Sequence, residues 1–198
     1  MALAIAVSFM PTSAFAGSKV KMTGYDQVYV SGKTAYCAGA RGLYKVTLKK
    51  GKVKKVKVLY STGRTWFDGS QIGAMKKKGK YIYFLRITGV DNLLYRVKTS
   101  GKSKKFLAFT YDYAIKGNKI YCTDGEEHLK SYNRVMKLNG KSKKKTSKDY
   151  VLKTKRSNKS GYKVYSRIKG NYVQDFLITP KGKFYLGRVY LENDWEDE

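Results

Sequence analysis

Short runs of alternating apolar and polar residues recur along the chain from Val28 onward, and they predict β-strands. Between Lys52 and Val58, lysine alternates with valine, with a single break at Lys54-Lys55. This pattern is typical of a strand with one face in water. Between Tyr81 and Leu85 both alternating sets are apolar, which requires cover on both faces of the strand. No long stretch has helical periodicity, so we expect little or no helix.

The predicted strands are arranged in a repeat with a constant internal spacing. A glycine at the end of one strand is followed four residues later by a tyrosine, in the copies that contain Gly32, Gly79 and Gly117. A degenerate fourth copy is predicted over Asp175–Leu186, with its turn at Gly182-Lys183. Glycine and asparagine tolerate the positive φ angles of tight hairpins, so the glycines are read as turns.

The repeat predicts an all-β fold made of β-propeller-like units. Each copy supplies three or four short antiparallel strands, rich in the Tyr, Val, Ile and Phe that suit a pleated sheet. Inner strands buried on both faces and outer strands wet on one face are what stacked four-stranded blades require. We expect three to four blades within residues 17–191. Four blades lie at the lower limit for a closed ring, so a complete ring and an open or incomplete one both stay open.

The repeat resembles the propeller-type repeats of secreted bacterial proteins, which are similar to the Tyr-Trp-Thr-Asp blades of the low-density lipoprotein receptor. The likeness covers about three quarters of residues 17–198, and the Tyr-Trp-Thr-Asp motif itself is absent. It implies blade architecture and a binding or scaffolding role. The segments that carry it are Gly79–Tyr83, Gly117–Tyr121, Leu43–Val46 and Leu94–Val97.

A second resemblance is to the aromatic-Gly-Lys hairpin repeats in wall-binding modules of Gram-positive surface proteins. The segment Lys78–Phe84 looks like one such unit. The repeat in this chain is longer, and it lacks the usual tryptophans. The expected location is secreted or associated with the cell surface of a Gram-positive bacterium.

Residues 1–16 have the features of a secretory signal. They carry no charge, Ala2–Met10 is an apolar run, and Ala14-Phe15-Ala16 has small residues where a signal peptidase cleaves. The run is too short for a transmembrane helix, and no later segment is long enough either. A secretory signal normally begins with basic residues, but residues 1–16 contain no Lys or Arg after Met1. We therefore expect the true signal to begin further upstream. The alternative is an N-terminal core strand.

The charge is strongly positive and unevenly distributed. The chain has 42 Lys and Arg against 14 Asp and Glu, a net charge of +28. Five of those acids lie in a tail over residues 192–198, so nine acids oppose 42 cations in the body, which carries +33. A field of this size attracts polyanions and weakens with salt. The alternative is that the lysines coat the surface and protect sheet edges from aggregation.

Thirteen lysines fall at one equivalent place in three copies, around the turn after the Leu-Tyr-x-Val strand. If the copies are blades, these turns form a positive band suited to a linear polyanion, such as an anionic cell-wall or matrix polymer. Lys outnumbers Arg there, which favours diffuse charge contacts over sequence-specific nucleic-acid readout. The predicted polyanion-binding residues are Lys49, Lys50, Lys52, Lys54, Lys55, Lys57, Lys102, Lys104, Lys105, Lys141, Lys143, Lys144 and Lys145.

Two further features invite a functional reading. Trp66, Phe67 and Asp68 form a possible ligand-stacking loop, since aromatic rings stack on sugars or bases; the alternative is a plug between two blades. Cys37 and Cys122 follow the repeat tyrosine in copies one and three. Equivalent positions in non-adjacent blades lie beyond disulfide reach, so both are predicted to be free and buried, with a disulfide as the alternative.

No catalytic constellation or cofactor motif is recognisable. His128 is the only histidine and lies with Asp124, Glu126 and Glu127 in a polar stretch without further ligands at metal-binding spacing. Neither a nucleophile elbow nor a phosphate or dinucleotide loop occurs. We therefore predict no enzyme activity, no cofactor and no metal.

Three functional hypotheses follow from these features. The first is a secreted, non-catalytic protein that adheres to an anionic polymer through its Lys-rich turns. The second is a protein-interaction scaffold that uses a propeller face, with the lysines serving solubility. The third is an extracellular hydrolase, which would need carboxylates gathered in one pocket.

Overall fold

The computed structural model describes residues 19–20, 28–62, 71–88, 92–124, 132–147 and 161–190, and within these ranges the protein is all-β. The strands lie in four antiparallel sheets of four strands each. In chain order they are β1 (Lys19–Val20), β2 (Val28–Ser31), β3 (Thr34–Ala38), β4 (Gly42–Lys49), β5 (Lys52–Ser61), β6 (Gln71–Lys78), β7 (Tyr81–Ile87), β8 (Asn92–Lys98), β9 (Lys105–Phe109), β10 (Asp112–Lys116), β11 (Lys119–Asp124), β12 (Tyr132–Lys137), β13 (Lys144–Lys145), β14 (Lys163–Lys169), β15 (Tyr172–Thr179) and β16 (Gly182–Tyr190).

Three of the four sheets are made of strands that are consecutive in the chain. Sheet one holds β2 to β5, sheet two β6 to β9 and sheet three β10 to β13, each in sequential order. Sheet four combines strands from both ends of the described chain, because β1 pairs with β14 beside β15 and β16. The prediction of an all-β fold built from repeated strands is confirmed.

One hairpin geometry recurs at the repeat glycines. The loops Gly32-Lys33, Gly79-Lys80 and Gly117-Asn118 each have two residues, and their glycines have φ between 55° and 58°. The second loop residue is not in the left-handed region. Glycine first with positive φ is the requirement of a type II′ turn, whose twist matches that of the flanking strands.

The fourth copy of this hairpin lies twelve residues earlier than the sequence predicts. Gly170-Asn171 joins β14 to β15 with a two-residue loop, and Gly170 has φ of 54°. The predicted turn at Gly182-Lys183 is a different one, because its loop is Pro180-Lys181 and Gly182, with φ of 124°, already belongs to β16. The sequence suggested the wrong alignment because the residue four positions after Gly170 is Gln174, whereas the other three copies have a tyrosine there.

Burial along the strands agrees with the alternation in the sequence. Ile82, Tyr83, Phe84 and Leu85 are all buried, as predicted for a strand covered on both faces. Lys54 is the extra residue of a β-bulge, because Thr47 pairs with Lys55 and Leu48 with Val53. A bulge places two residues opposite one, which explains the break in the Lys-Val alternation.

Three buried apolar clusters join the sheets in the order four, one, two, three. Leu177 and Leu186 of sheet four pack with Tyr44 and Cys37 of sheet one. The second cluster joins sheet one to sheet two, and the third joins sheet two to sheet three. Sheets one and two are therefore covered on both faces by neighbouring sheets.

Candidate functional site

The thirteen predicted lysines are all exposed, and most lie on three equivalent hairpins. We call the β4–β5, β8–β9 and β12–β13 connections the outer hairpins. Their glycines, Gly51, Gly101 and Gly140, have φ of 78°, 84° and 80°. The second and third outer hairpins also share a serine two residues later with φ of 56° and 57°. The lysine clusters therefore sit on a common backbone geometry that directs them to the surface.

The second outer hairpin lies against sheet one. A Cβ added to Gly101 would come within 3.6 Å of the Lys57 Cε and 3.5 Å of a Leu59 methyl. Lys104 Nζ lies 5.0 Å from the centre of the Tyr60 ring, a cation–π distance. These contacts bring the lysines of β5 next to those of the β8–β9 hairpin.

The third outer hairpin lies against sheet two in the same way. A Cβ added to Gly140 would come within 3.0 Å of Leu107, and Lys105 Nζ donates a hydrogen bond to the Asn139 carbonyl at 3.1 Å. The second and third outer hairpins therefore each pack against the last strand of the preceding sheet, β5 and β9. The three predicted lysine clusters are thus neighbours in space, and we call them together the lysine band.

Sheet four adds a lysine to the band that sequence reasoning missed. Thr179 Oγ1 donates a hydrogen bond to the Gly51 carbonyl at 2.9 Å, and a Cβ added to Gly51 would come within 2.8 Å of Lys181 Cγ. Lys181 therefore lies beside the first outer hairpin. The sequence signal for it is the adjacent Gly182-Lys183 pair, which resembles the other repeat turns.

Few acids offset the band within the described residues. They are Asp112, Asp124 and Asp175, and Asp175 is fully buried. Two exposed lysines about 10 Å apart repel each other by roughly 0.4 kcal/mol in water before salt screening. A bound polyanion would relieve this repulsion and release its own counterions.

Asp175 forms a buried polar network between sheets four and one. Its carboxylate accepts hydrogen bonds from Ser166 Oγ at 2.6 Å, from Tyr44 Oη at 2.7 Å and from the Ala40 backbone N–H at 3.1 Å. Burial raises the pKa of Asp175, and these hydrogen bonds oppose the rise only in part. Burial also raises the pKa of Tyr44, as does the neighbouring Asp175.

The loop between β3 and β4 packs closely on Asp175 and Tyr44. A Cβ at Gly39 would lie 2.2 Å from the Asp175 Cγ, and one at Gly42 would lie 2.1 Å from the Tyr44 Oη. The two glycines therefore let this part of the chain approach the carboxylate, and Asp175 ties sheets four and one together.

Several residues singled out in the sequence lie outside the described residues. These are the signal region 1–16, the loop residues Trp66, Phe67 and Asp68, the polar residues Glu126, Glu127 and His128, and the acidic tail 192–198. Cys37 and Cys122 are described; both side chains are buried and neither forms a disulfide. Within the described ranges, no group of three His, Cys, Asp or Glu side chains is placed to hold a metal ion.

The described part of the chain has no helix of the length and apolarity needed to cross a membrane. No protein-family model matches the sequence, and no curated protein sequence matches it significantly.

Proposed function

We propose that this protein is a secreted, non-catalytic binding protein that holds an anionic cell-wall or matrix polymer along its lysine band. The observation that carries the proposal is the contact of each outer hairpin with the preceding sheet, through Lys57, Lys104 and Lys105. A linear polyanion could follow this continuous row of cations across the sheets. Isolated lysines scattered over a surface would offer no such path.

The proposed architecture is an open β-propeller of four blades, in which each sheet is one blade. The sheets stack face to face through three buried clusters, so sheet four keeps one face outside the stack. Sheet four includes both β1 and the last three strands. The outer hairpins then occupy equivalent places on successive blades.

The chemistry of the band favours a polymer recognised by charge. The thirteen predicted residues of the band and Lys181 are all lysines, which make point-charge contacts with no fixed fork geometry. Affinity should come from many weak contacts and fall steeply with salt.

A charge-matched pair of variants tests the proposal. The band variant carries Lys102→Gln, Lys141→Gln, Lys143→Gln and Lys144→Gln, and the control carries Lys33→Gln, Lys78→Gln, Lys80→Gln and Lys119→Gln. All eight lysines are exposed, and both variants lose the same charge. The control lysines lie at the repeat Gly hairpins, which are at the same end of the sheets as the outer hairpins but join the first two strands of each sheet.

Binding to purified anionic wall polymer is measured at rising salt. We expect the band variant to lose affinity about tenfold or more at low salt, with a shallower salt dependence, because fewer counterions are released. The control should stay within about twofold of the parent. Equal losses in both variants would show that net charge alone drives binding, and salt-insensitive binding would overturn the proposal.

A further inference from the structure

The outer face of sheet four, which points away from sheet one, carries alternating rows of aromatic and cationic side chains. Cross-strand pairing defines the rows, because residues directly opposite one another share a face. One row is Tyr165, Phe176 and Tyr185, the next is Arg167, Gln174 and Arg188, and the third is Lys169, Tyr172 and Tyr190. Lys163, Ile178 and Lys183 form a fourth row at the hairpin end.

These side chains form a continuous aromatic and cationic surface. The Phe176 ring lies 5.9 Å from that of Tyr165 and 5.6 Å from that of Tyr185, and Tyr172 lies 5.1 Å from Tyr190. None of the five rings belongs to the three buried clusters that join the sheets. Tyr185 is 49% exposed and Tyr190 is 38% exposed.

Cations already lie over the inner rings. Lys183 Nζ is 4.2 Å from the centres of both Tyr165 and Phe176, and Arg188 Cζ is 4.3 Å from that of Tyr172. Arg167 also lies over Phe176 at 5.1 Å and donates from Nε to Gln174 at 2.9 Å. Because cations cover the Tyr165, Phe176 and Tyr172 rings, nucleic-acid bases are hindered from stacking on them. The tyrosine hydroxyls and the cations remain as hydrogen-bond donors.

The dimensions and charge of the surface fit an extended, oxygen-rich anion. The two aromatic rows are separated by four residues of β15, about 13 Å at the usual strand rise, with the Arg-Gln-Arg row midway between them. None of the four rows on this face contains an Asp or Glu residue. Guanidinium groups match carboxylates with two parallel hydrogen bonds, and exposed tyrosines pack against the apolar faces of sugars.

We propose that the outer face of sheet four binds a carboxylated polysaccharide, with uronate carboxylates paired to Arg167 and Arg188 and sugar rings packed on Tyr185 and Tyr190. The inference rests on the proposed function and names the class of polymer. Lys181 lies beside the first outer hairpin, and Lys183, two residues later in the chain, lies on this face, so one polymer chain can contact the face and the lysine band.

The test uses the full chain and two pairs of matched variants. Arg167→Gln with Arg188→Gln is compared with Lys33→Gln and Lys119→Gln, which remove the same charge elsewhere. Tyr185→Ala with Tyr190→Ala is compared with Tyr29→Ala and Tyr111→Ala, two tyrosines that are 42% and 54% exposed. Circular dichroism confirms that each variant is folded before binding is measured.

Binding is measured to polygalacturonate, to neutral dextran, to dextran sulfate and to oligo(dT). We expect polygalacturonate to bind, dextran not to bind, and each face variant to weaken polygalacturonate binding at least tenfold while its control stays within twofold. Stronger oligo(dT) binding that depends on Tyr185 and Tyr190 would overturn the proposal in favour of nucleic acid. Dextran sulfate binding that exceeds polygalacturonate binding would overturn the carboxylate assignment.

The same data separate this inference from the proposed function. If the face variants bind polygalacturonate like the parent and the band variant binds weakly, the face is not a site and the lysine band still is. If the band variant binds like the parent and the face variants bind weakly, the band proposal fails and the face proposal holds. If every variant binds like the parent, both fail.

Discussion

At the scale of single residues, the least expected feature is an acid at the centre of an apolar interface. Asp175 is 0% exposed and yet accepts hydrogen bonds from Ser166, Tyr44 and the backbone of Ala40. A buried charge is costly unless its partners satisfy it. The network therefore contributes specificity to the contact between sheets four and one, and it makes that contact sensitive to pH.

We predict that Asp175→Asn gains stability relative to the parent as the pH rises. The folded-state pKa of Asp175 lies above its ordinary value of 3.8, chiefly because of burial. The folded protein therefore binds this proton more tightly than the unfolded chain does. The resulting stabilisation is present below that ordinary value and is lost as the pH rises through the raised pKa.

Urea unfolding of both proteins at pH 4 and pH 8 measures the effect. The free energy of unfolding of Asp175→Asn minus that of the parent should be larger at pH 8 than at pH 4, whatever its value at pH 4. A difference that is the same at both pH values would show that Asp175 titrates normally in the folded protein.

At the scale of elements, the repeat tyrosine has a role that the spacing alone does not reveal. Tyr83 Oη donates to the Leu138 carbonyl in the outer hairpin of sheet three at 3.0 Å. Tyr36 makes the corresponding side-chain hydrogen bond to Thr99, in the outer hairpin of sheet two. In these two copies the tyrosine four residues after the repeat glycine thus links its sheet to the outer hairpin of the next sheet.

We predict that Gly32→Ala, Gly79→Ala, Gly117→Ala and Gly170→Ala each cost about 1 to 2 kcal/mol of unfolding free energy. A Cβ at any of the four would meet nothing within 4 Å, so the cost comes from the positive φ alone. Thermal or urea unfolding measures it, with Lys80→Ala in the same loop as a control that should change little. A neutral Gly170→Ala would contradict the assignment of Gly170-Asn171 to the repeat.

At the scale of the whole molecule, the order of the sheets decides what each face contacts. Sheets one and two are covered on both sides, whereas sheet four presents its second face as the aromatic and cationic surface. The lysines follow the outer hairpins across this order. The lysine band therefore runs across adjoining sheets.

The sheet order also predicts the behaviour of the two cysteines. Cys37 packs in the cluster between sheets one and four, and Cys122 packs between sheets two and three. Burial raises the pKa of the Cys37 thiol, which reduces its reactivity further. We expect no reaction of the native protein with a thiol reagent, and two titrated thiols after denaturation without reductant. Thiols that appear only after reduction would reveal a disulfide.

The local pattern by itself determined the secondary structure and the position of most turns. Alternation identified β5 and β7, and the repeat glycines identified three hairpins, because strand burial and turn sterics depend on neighbouring residues only. The lysine clusters were also visible, since they follow those turns. The degenerate fourth copy was misaligned because Gln174 stands four residues after Gly170, where the other three copies have a tyrosine.

Only the tertiary structure decided which distant residues meet. Asp175 and Tyr44 are 131 positions apart, and nothing in their local sequence links them. The pairing of β1 with β14, the contact of each outer hairpin with the preceding sheet and the rows on sheet four depend on sheet order and cross-strand register. These are set by the packing of the whole chain, because burying each apolar face requires a particular neighbour, whereas the alternation shows only that some neighbour is required.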